Sequence, residues 1–425
     1  MIVSLTIRNF KSIVDLNLKF SEHFNCLVGL NGAGKTSVLQ AIDFASHMMG
    51  GDIDSWLKVR GWLSQDLHSK LSTASNIVFF FVYRLPSGKI VEWRAAFNRA
   101  SRSCTREEVT EHIAPGTGFA SRKIIFDVQR NRYAVGDGPK SDISLNYEGS
   151  LLSHLKEELL TDDLIALRDG IRSIRSLELL SPHLMRASSR DADADIGIGG
   201  EKLSAYLFAV KGEQRAQLVQ LLGKFYPAVV DFKVIQQRAG WKRLVLIEEY
   251  GDRRVETEAR HINDGLLRVL AILSQAQSQR SALLFDEVEN GVNPEIAEQL
   301  VDVLQECPQQ VIVTSHSPLI LNYLSDETAR TAVSFVYRSW DGGSKARPFF
   351  GLPQVKDKLD YMGPGEAFVD TNLTDLTTEC IRLDIEDLKR RITTQRADDR
   401  ATEELVKKLR AAEKAWELRE QRGAE

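Results

Sequence analysis

The chain has 425 residues, enough for roughly two or three packed units rather than one small domain. Hydrophobic residues make up 43% and charged residues 27%, which excludes a wholly disordered chain. Lys+Arg 55 against Asp+Glu 59 leave a formal net charge of -4, so no global positive field argues for nucleic acid. Cys26, Cys104, Cys307 and Cys380 include no CxxC pair, which argues against a zinc knuckle and against a disulfide framework. Arg8 and Lys11 fall where a signal core would have to be apolar, and no apolar run is long enough for a membrane span. A soluble, cytoplasmic protein with no membrane partner is expected.

The first residues, MIVSLTI, alternate and are β-branched, and Asp15–Phe20 alternates again. HFNCLVG then enters a glycine-rich turn, and Ser37–Met48 carries helical spacing. Asn76–Tyr83 and Ile90–Phe97 flank Pro86-Ser-Gly88 as a hairpin, with Lys123–Val128 and Arg132–Val135 as a second pair. Residues 70–148 therefore read as a small antiparallel sheet attached to the first lobe. From Leu151 to about Leu180 the period is helical. Arg186–Gly200 is polar and glycine-rich and reads as a mobile loop, and Glu201–Tyr226 is helical again.

Strands resume at Val229–Ile235 and Arg243–Glu248. Val269–Ala276 and Gln299–Leu304 lie on helices, while Ala282–Phe285, Val311–Thr314 and Ser334–Tyr337 are short buried strands. Short apolar strands separated by helices predict a mainly parallel α/β sheet. From Leu376 the tail is charged and helical, with Leu405, Leu409, Ala412 and Trp416 on one stripe. That stripe can cap its own domain, pair with a second copy or bind a partner. The expected organisation is a lobe over 1–150, a helical insertion over 151–226, a second lobe over 227–373 and the tail over 374–425.

The sharpest motif is Gly29-Leu-Asn-Gly-Ala-Gly-Lys35-Thr36, which fits G-x-x-x-x-G-K-[ST] at every fixed position. A buried strand precedes it and Thr36 opens a helix. Gly29, Gly32 and Gly34 let backbone N–H groups turn inward around a phosphate, with the helix N-terminus at Lys35, Thr36 and Ser37 adding donors. Lys35 supplies a point charge between β- and γ-phosphates, and the Thr36 hydroxyl suits Mg²⁺. Asn31 either orients a nucleophile or contacts a second subunit, or else serves the turn.

Ala282-Leu-Leu-Phe285 runs into Asp286-Glu287, an apolar strand ending in adjacent carboxylates. Asp286 is placed to hold Mg²⁺, and Glu287 to take a proton from attacking water. Val311–Thr314 leads to Ser315-His316, and His316 there can contact a γ-phosphate or hold the water. Asn263-Asp264-Gly265 opens a helix as an anion-binding cap, a pattern many helices share. Arg99, Arg102, Arg106, Arg122 and Lys123 can line a DNA surface, although interleaved acids make a solvated face the plainer reading.

Together these residues resemble the ABC-type ATPase superfamily. The branch is that of structural-maintenance-of-chromosomes proteins, recombination-repair ATPases and overcoming-lysogenization-defect nucleases. MIVSLTIRNFKSI, GLNGAGKT, SLLSHL, INDGLLRVLAILS, LLFDEVENGVNP, VIVTSHSPLIL and LDYMGPGEAF carry the resemblance, over residues 1 to about 370. It implies an ABC-type head with an attached antiparallel sheet, and a Mg²⁺-dependent ATPase using ATP. It further implies Lys35 and Thr36 in the nucleotide loop, Asp286 on the metal, Glu287 as general base and His316 as switch histidine. Gly291-Val-Asn-Pro resembles the loop that crosses between subunits.

Asn263-Asp-Gly265 sits where the family's signature segment reaches the other subunit's γ-phosphate, with Asn263 in place of the usual serine. The family's glutamine has two candidates, Gln65 and Gln129, and neither is preferred. Two copies would sandwich two ATPs, as a homodimer or within a higher homo-oligomer. The resemblance is to small standalone ATPases, several of which act in phage defence beside a separately encoded nuclease or toxin effector. A repair ATPase clamping DNA directly, and a nucleotide-dependent structural module with negligible hydrolysis, are the competing expectations. Asp193-Ala-Asp195 has the spacing of a nuclease pair but lies in a polar loop. At 1.5 Å per residue, two insertion arms of about 30 residues reach only about 45 Å, too short for the long coiled coil of chromosome-holding relatives.

Overall fold

The computed structural model describes residues 1–113, 121–129, 131–190, 195–394 and 400–423. It divides into two compact units. The smaller comprises Met1, Glu22–Cys26 and Ser173–Leu324, and the larger Ile2–Ser21, Leu27–Arg172 and Ser325–Glu425. The expected insertion over 151–226 is thus shared out at Arg172–Ser173.

In the larger unit, eight antiparallel strands form one sheet in the order β2-β1-β4-β5-β6-β7-β8-β9. They are β1 (Ile2–Phe10), β2 (Ile13–Lys19), β4 (Asn76–Arg84), β5 (Ile90–Asn98), β6 (Ser103–Ile113), β7 (Ser121–Gln129), β8 (Arg132–Val135) and β9 (Ser141–Asp142). The period of two sets one face inward: Ile77, Phe79, Phe81 and Tyr83 of β4 and Val91, Trp93, Ala95 and Phe97 of β5 are buried. The helix Lys35–Gly50 is buried along most of its length, including Val38, Leu39, Ile42, Ala45 and Met49, and meets this face through Phe44. Phe44 on that helix lies 5.0 Å from Phe97, 5.8 Å from Phe10 and 6.1 Å from Phe79 between ring centroids. Such aromatic clusters supply a large share of the apolar burial.

Strand β6 was not apparent in the sequence because Thr105-Arg-Glu-Glu108 reads as solvated. Its pairing nonetheless runs along both β5 and β7. Buried within it is Glu107, whose carboxylate accepts from Trp93 Nε1 (2.8 Å), from Leu151 N (2.9 Å) and from the Ser150 hydroxyl. These bonds explain a correction. The helix expected from Leu151 is instead two 3₁₀ turns, Leu151–Ser153 and Glu157–Leu159, before a helix over Asp162–Arg172. Ser150 caps the first turn, and Glu107 pins its opening amide to the sheet.

The same unit contains a two-stranded ribbon, β16 (Val333–Arg338) with β17 (Ser344–Pro348), and the C-terminal helices Leu373–Thr394 and Arg400–Gly423. The tail stripe faces inward. Ala412, Leu409 and Trp416 pack with Ile381, Ile385, Leu388 and Trp340, and Leu405 is also buried. Of the three uses open to that stripe, the structure shows the helix packed on its own domain. The basic residues of the antiparallel sheet are largely paired: Arg102 with Asp54 and Glu148, Arg122 with Glu92, and Lys123 with Asp137.

In the smaller unit, β10 (Arg175–Ser176), β14 (Ala282–Phe285) and β15 (Gln310–Thr314) run parallel. β10 is a second departure from the expected helix, because Arg175 and Ser176 leave it to pair with Leu283 and Leu284. The opening residues of β3 (Phe24–Val28) also belong here, where Val311 N donates to His23 O (2.7 Å). The helix Asp264–Ala276 is buried over most of its length, which accounts for its run of Leu, Val and Ile. β11 (Val229–Gln236), β12 (Lys242–Tyr250) and β13 (Arg253–Glu258) make a separate antiparallel sheet. Charged Arg253-Arg-Val-Glu had concealed β13.

Part of the expected mobile loop is tied down, since Ser189 exchanges backbone hydrogen bonds with Lys242 at 3.0 and 2.8 Å. Asp193 lies outside the described residues. Asp195 accepts from Arg175 (2.7 Å).

Burial pushes the Glu107 carboxyl up to about 7 from 4.5, against the three hydrogen bonds that favour its charge. The folded chain therefore holds this proton to higher pH than the unfolded chain. Stability from this group is full at low pH and falls as pH rises from about 4.5 to about 7. Urea unfolding between those values should show that fall, and Glu107→Gln should flatten it. An unchanged slope in the variant would contradict this account.

Candidate functional site

The glycine loop follows directly from β3, whose last residues Leu27 and Val28 are buried in the larger unit. Gly29, Gly32 and Gly34 all have positive φ, at 148°, 75° and 108°. Any other residue would be strained there. A Cβ on Gly29 would also collide with the carbonyl oxygen of Val336. Gly34 is the left-handed N-cap of the helix Lys35–Gly50 and offers no capping side chain. The amides at this helix start, including those of Thr36 and Ser37, are therefore a ready anion site. Lys35 is buried, and its Nζ donates to Gly29 O (2.8 Å) and Leu30 O (3.4 Å). Thr36 and Ser37 are half-buried, and Asn31 is exposed. Asn31 is absent from the positive-φ residues, so the turn itself does not require an asparagine there.

The acidic strand end belongs to the smaller unit. β14 is fully buried, and the chain leaves it through a left-handed turn at Glu287 (φ 48°). That turn swings the Glu287 carboxylate away from the strand alternation expected from sequence. Thr314, at the end of β15, fixes both neighbours: its hydroxyl donates to Asp286 Oδ1 and accepts from Glu287 N (2.9 Å). His316 Nδ1 lies 3.8 Å from Glu287 Oε1 and 3.8 Å from Glu289 Oε1. Glu287 and His316 are 45% and 52% exposed, open enough to meet a ligand, whereas Glu289 is 15% exposed.

Glu289 is the residue that sequence reasoning missed. Its Oε1 accepts from Ser315 Oγ (2.8 Å) and His316 N (3.3 Å), so it holds the histidine's backbone against the acidic loop. The signal was a third carboxylate in Asp286-Glu-Val-Glu289, masked by the two before it.

Asn263 caps the helix Asp264–Ala276, its Oδ1 accepting from Leu266 N (2.8 Å). Its amide nitrogen takes no part in that cap, and Asn263 and Asp264 are both exposed. Asp264 pairs with Arg186. Burial pushes the Arg268 guanidinium down, while Glu287 and Asp264 counter that shift. Arg268 Nη1 donates to Asn290 O (2.8 Å), tying this helix to the acidic loop. Beyond it, Asn293 caps the helix Pro294–Glu306. Gln65 is exposed in a 3₁₀ turn, and Gln129 ends β7 donating to Asp127 (3.0 Å). Asp286, Glu287, His316 and Asn263–Gly265 thus gather in one unit, and the loop Gly29–Ser37 lies in the other.

Residues 145–322 match the family model described as "AAA domain, putative AbiEii toxin, Type IV TA system", and residues 4–153 match a second AAA domain. The chain is 49% identical over 43 residues to DNA replication and repair protein RecF of Actinobacillus pleuropneumoniae serotype 5b. That stretch is 10% of this chain and 12% of the relative. RecF of Porphyromonas gingivalis (strain ATCC 33277) is 52% identical over 46 residues, 11% of this chain and 13% of the relative. The chain therefore spans only about an eighth of these curated relatives. A solved structure, "Crystal structure of the SmcHead bound to the C-winged helix domain of ScpA", is similar with a TM-score of 0.50 and 16% identity. It covers 81% of this chain and 96% of that one. At that identity the likeness carries the fold alone, a mixed α/β head with an attached antiparallel sheet.

Gly265 offers a local test. A Cβ there would lie 2.8 Å from Gly291 O, too close for contact with a backbone atom. Alanine favours helices by about 1 kcal/mol over glycine, yet Gly265→Ala should destabilise, with overpacking costing about 1–3 kcal/mol. Urea unfolding measures it, and an unchanged or raised midpoint would contradict the close approach.

Proposed function

We propose that this chain, an SMC/RecF-like ABC-type ATPase, binds ATP on Gly29–Ser37 and hydrolyses it with Glu287 as base. The observation that carries the reading is the glycine loop, whose positive-φ glycines and helix start turn backbone donors toward one anion. Lys35 would add its charge at the β- and γ-phosphates, leaving the loop carbonyls it now bonds. Asn31 would offer its amide beside the γ-phosphate.

The Thr36 hydroxyl and the Asp286 carboxylate are each hard oxygen donors of the kind that would suit Mg²⁺. Thr314 already orients one Asp286 oxygen. Bound Mg²⁺ would draw charge from the phosphate oxygens. Glu287 would accept the proton of the attacking water, with its backbone held by Thr314 and its carboxylate near His316. His316 would hold that water or the γ-phosphate, steadied through Glu289.

We further propose that two copies close on two ATPs, Asn263, Asp264 and Gly265 of one meeting the γ-phosphate held by the other. The exposure of Asn263 supports this, because an asparagine can cap its helix through Oδ1 and still donate from its amide nitrogen. Closure would supply donors that neither copy has alone, so hydrolysis would follow dimerisation. In the cell, the reading is a sensor, scaffold or regulator of a separately encoded nuclease or toxin effector in anti-phage defence. It draws support from a family model whose description names a toxin. The RecF matches favour a second reading, a repair ATPase that clamps DNA directly. An adjacent effector gene, or tight DNA binding by the purified chain, separates the two.

Glu287→Gln should keep ATP binding and lose most phosphate release, because the base is gone while Asp286 remains. In that background, Asn263→Cys with Ser37→Cys should crosslink between chains only with ATP. All four native cysteines are buried and need no replacement. Normal phosphate release would remove Glu287 as base. Crosslinks confined to one chain, or equal without nucleotide, would reject the sandwich.

A further inference from the structure

The ribbon β16–β17 has two working faces. Arg338 and Ser344 are direct cross-strand partners, as are Tyr337 and Lys345 one position along. Since strand side chains alternate, the two pairs point to opposite sides. The first pair meets the glycine loop. Ser344 Oγ donates to Ala33 O (2.6 Å), and Arg338 Nε donates to Gly32 O (2.8 Å) while its Nη1 holds Gly342 O (2.9 Å). Ser12 Oγ lies 2.8 Å from Ser344 Oγ, and Ser344 N donates to Ser12 O (2.8 Å). Ser344 is fully buried, and a Cβ on Gly34 would collide with its hydroxyl. The loop thus rests on this serine in the space where a side chain would stand.

The other face meets the C-terminal helix Leu373–Thr394 through Asp384, a buried carboxylate. Tyr337 Oη (2.8 Å) and Arg347 Nη2 (2.8 Å) donate to its Oδ1, and Ser339 Oγ (2.8 Å) and Lys345 Nζ (3.0 Å) to its Oδ2. Arg347 also reaches Asp387 (2.6 Å). A carboxylate so satisfied fixes one ribbon face to one helix face and leaves little rotational freedom.

We infer that Ser344 and Arg338 are positioning residues for the ATP loop, and that Asp384 of the C-terminal helix sets their position through the ribbon. This rests on the loop binding ATP. The loop carbonyls held by Ser344 and Arg338 fix the peptide planes whose amides face the phosphates. Releasing them leaves the donors present but misaimed, which weakens nucleotide binding before it touches the proton transfer at Glu287. The tail is then part of the nucleotide site's support as well as a cap.

The test is steady-state ATPase and ATP binding by the full chain, at a temperature where circular dichroism shows each variant folded. Ser344→Ala is expected to raise Kd and KM for ATP about 5–10-fold, the loss of one well-placed hydrogen bond, with kcat within about twofold. Asp384→Asn should move KM in the same direction by about 3-fold or more. If it does not fold, Ser339→Ala, which deletes one bond to that carboxylate, takes its place. A KM for Ser344→Ala within twofold of wild type overturns the inference. So does a fall confined to kcat, or an unchanged KM in the Asp384 or Ser339 variant. Lys35→Ala is the control. If the wild-type chain binds no ATP, the proposed activity fails. If Lys35→Ala loses ATP while Ser344→Ala keeps it, only this inference fails.

Discussion

Gly29 and Gly34 are held where no side chain fits, and the path of the loop between them depends on that constraint. Gly29 lies against the backbone of Val336, and Gly34 against the hydroxyls of Ser344 and Ser12. Each contact needs a missing Cβ, and each glycine also has positive φ. Lys35 follows at the first turn of a buried helix, with its Nζ folded back onto the loop's carbonyls. Backbone placement, helix start and charge are therefore set together by packing rather than by loop chemistry alone. The aromatic group around Phe44 anchors that helix to the antiparallel sheet, so the sheet supports the loop even though it carries none of the loop residues.

In the smaller unit a parallel strand pair performs the matching task. β14 and β15 end side by side, and Thr314 of one strand orients Asp286 and Glu287 of the other. Glu287 sits in the left-handed region, a conformation that costs a non-glycine residue of order 1–3 kcal/mol. Asn290 N closes the turn onto Glu287 O (2.9 Å), and Arg268 holds the carbonyl of Asn290. Strain kept in place by such contacts is common where a side chain must be aimed.

The fold class, the glycine loop, the paired carboxylates and the strand before His316 were legible because each depends on local pattern. Glycines at fixed spacing, an apolar strand ending in acids and a period of two or 3.6 survive in one sequence window. What was not legible depends on partners far along the chain. Ser344 reads as an ordinary loop serine until β17 brings it to Ala33, and Glu289 as a surface acid until Ser315 and His316 meet it. Strand β6 hides behind Arg106, Glu107 and Glu108, since only pairing shows that Glu107 is inside. The helix expected after Leu151 failed because buried hydrogen bonds at Glu107 and Ser150 overrode the leucine spacing. The tail stripe was ambiguous for the opposite reason: its period was clear, but its partner, Ile381 and Ile385, lay on the preceding helix.

The central claim is that this loop, so held, is an ATP site. Titration of the full chain with ATP and Mg²⁺, followed by calorimetry, tests it most directly when Lys35→Ala is titrated beside it. The account predicts saturable binding by the wild-type chain, weakened at least about tenfold in the variant, a difference of about 1.4 kcal/mol. Saturable binding of equal strength in both proteins, or none in the wild-type chain, would contradict it.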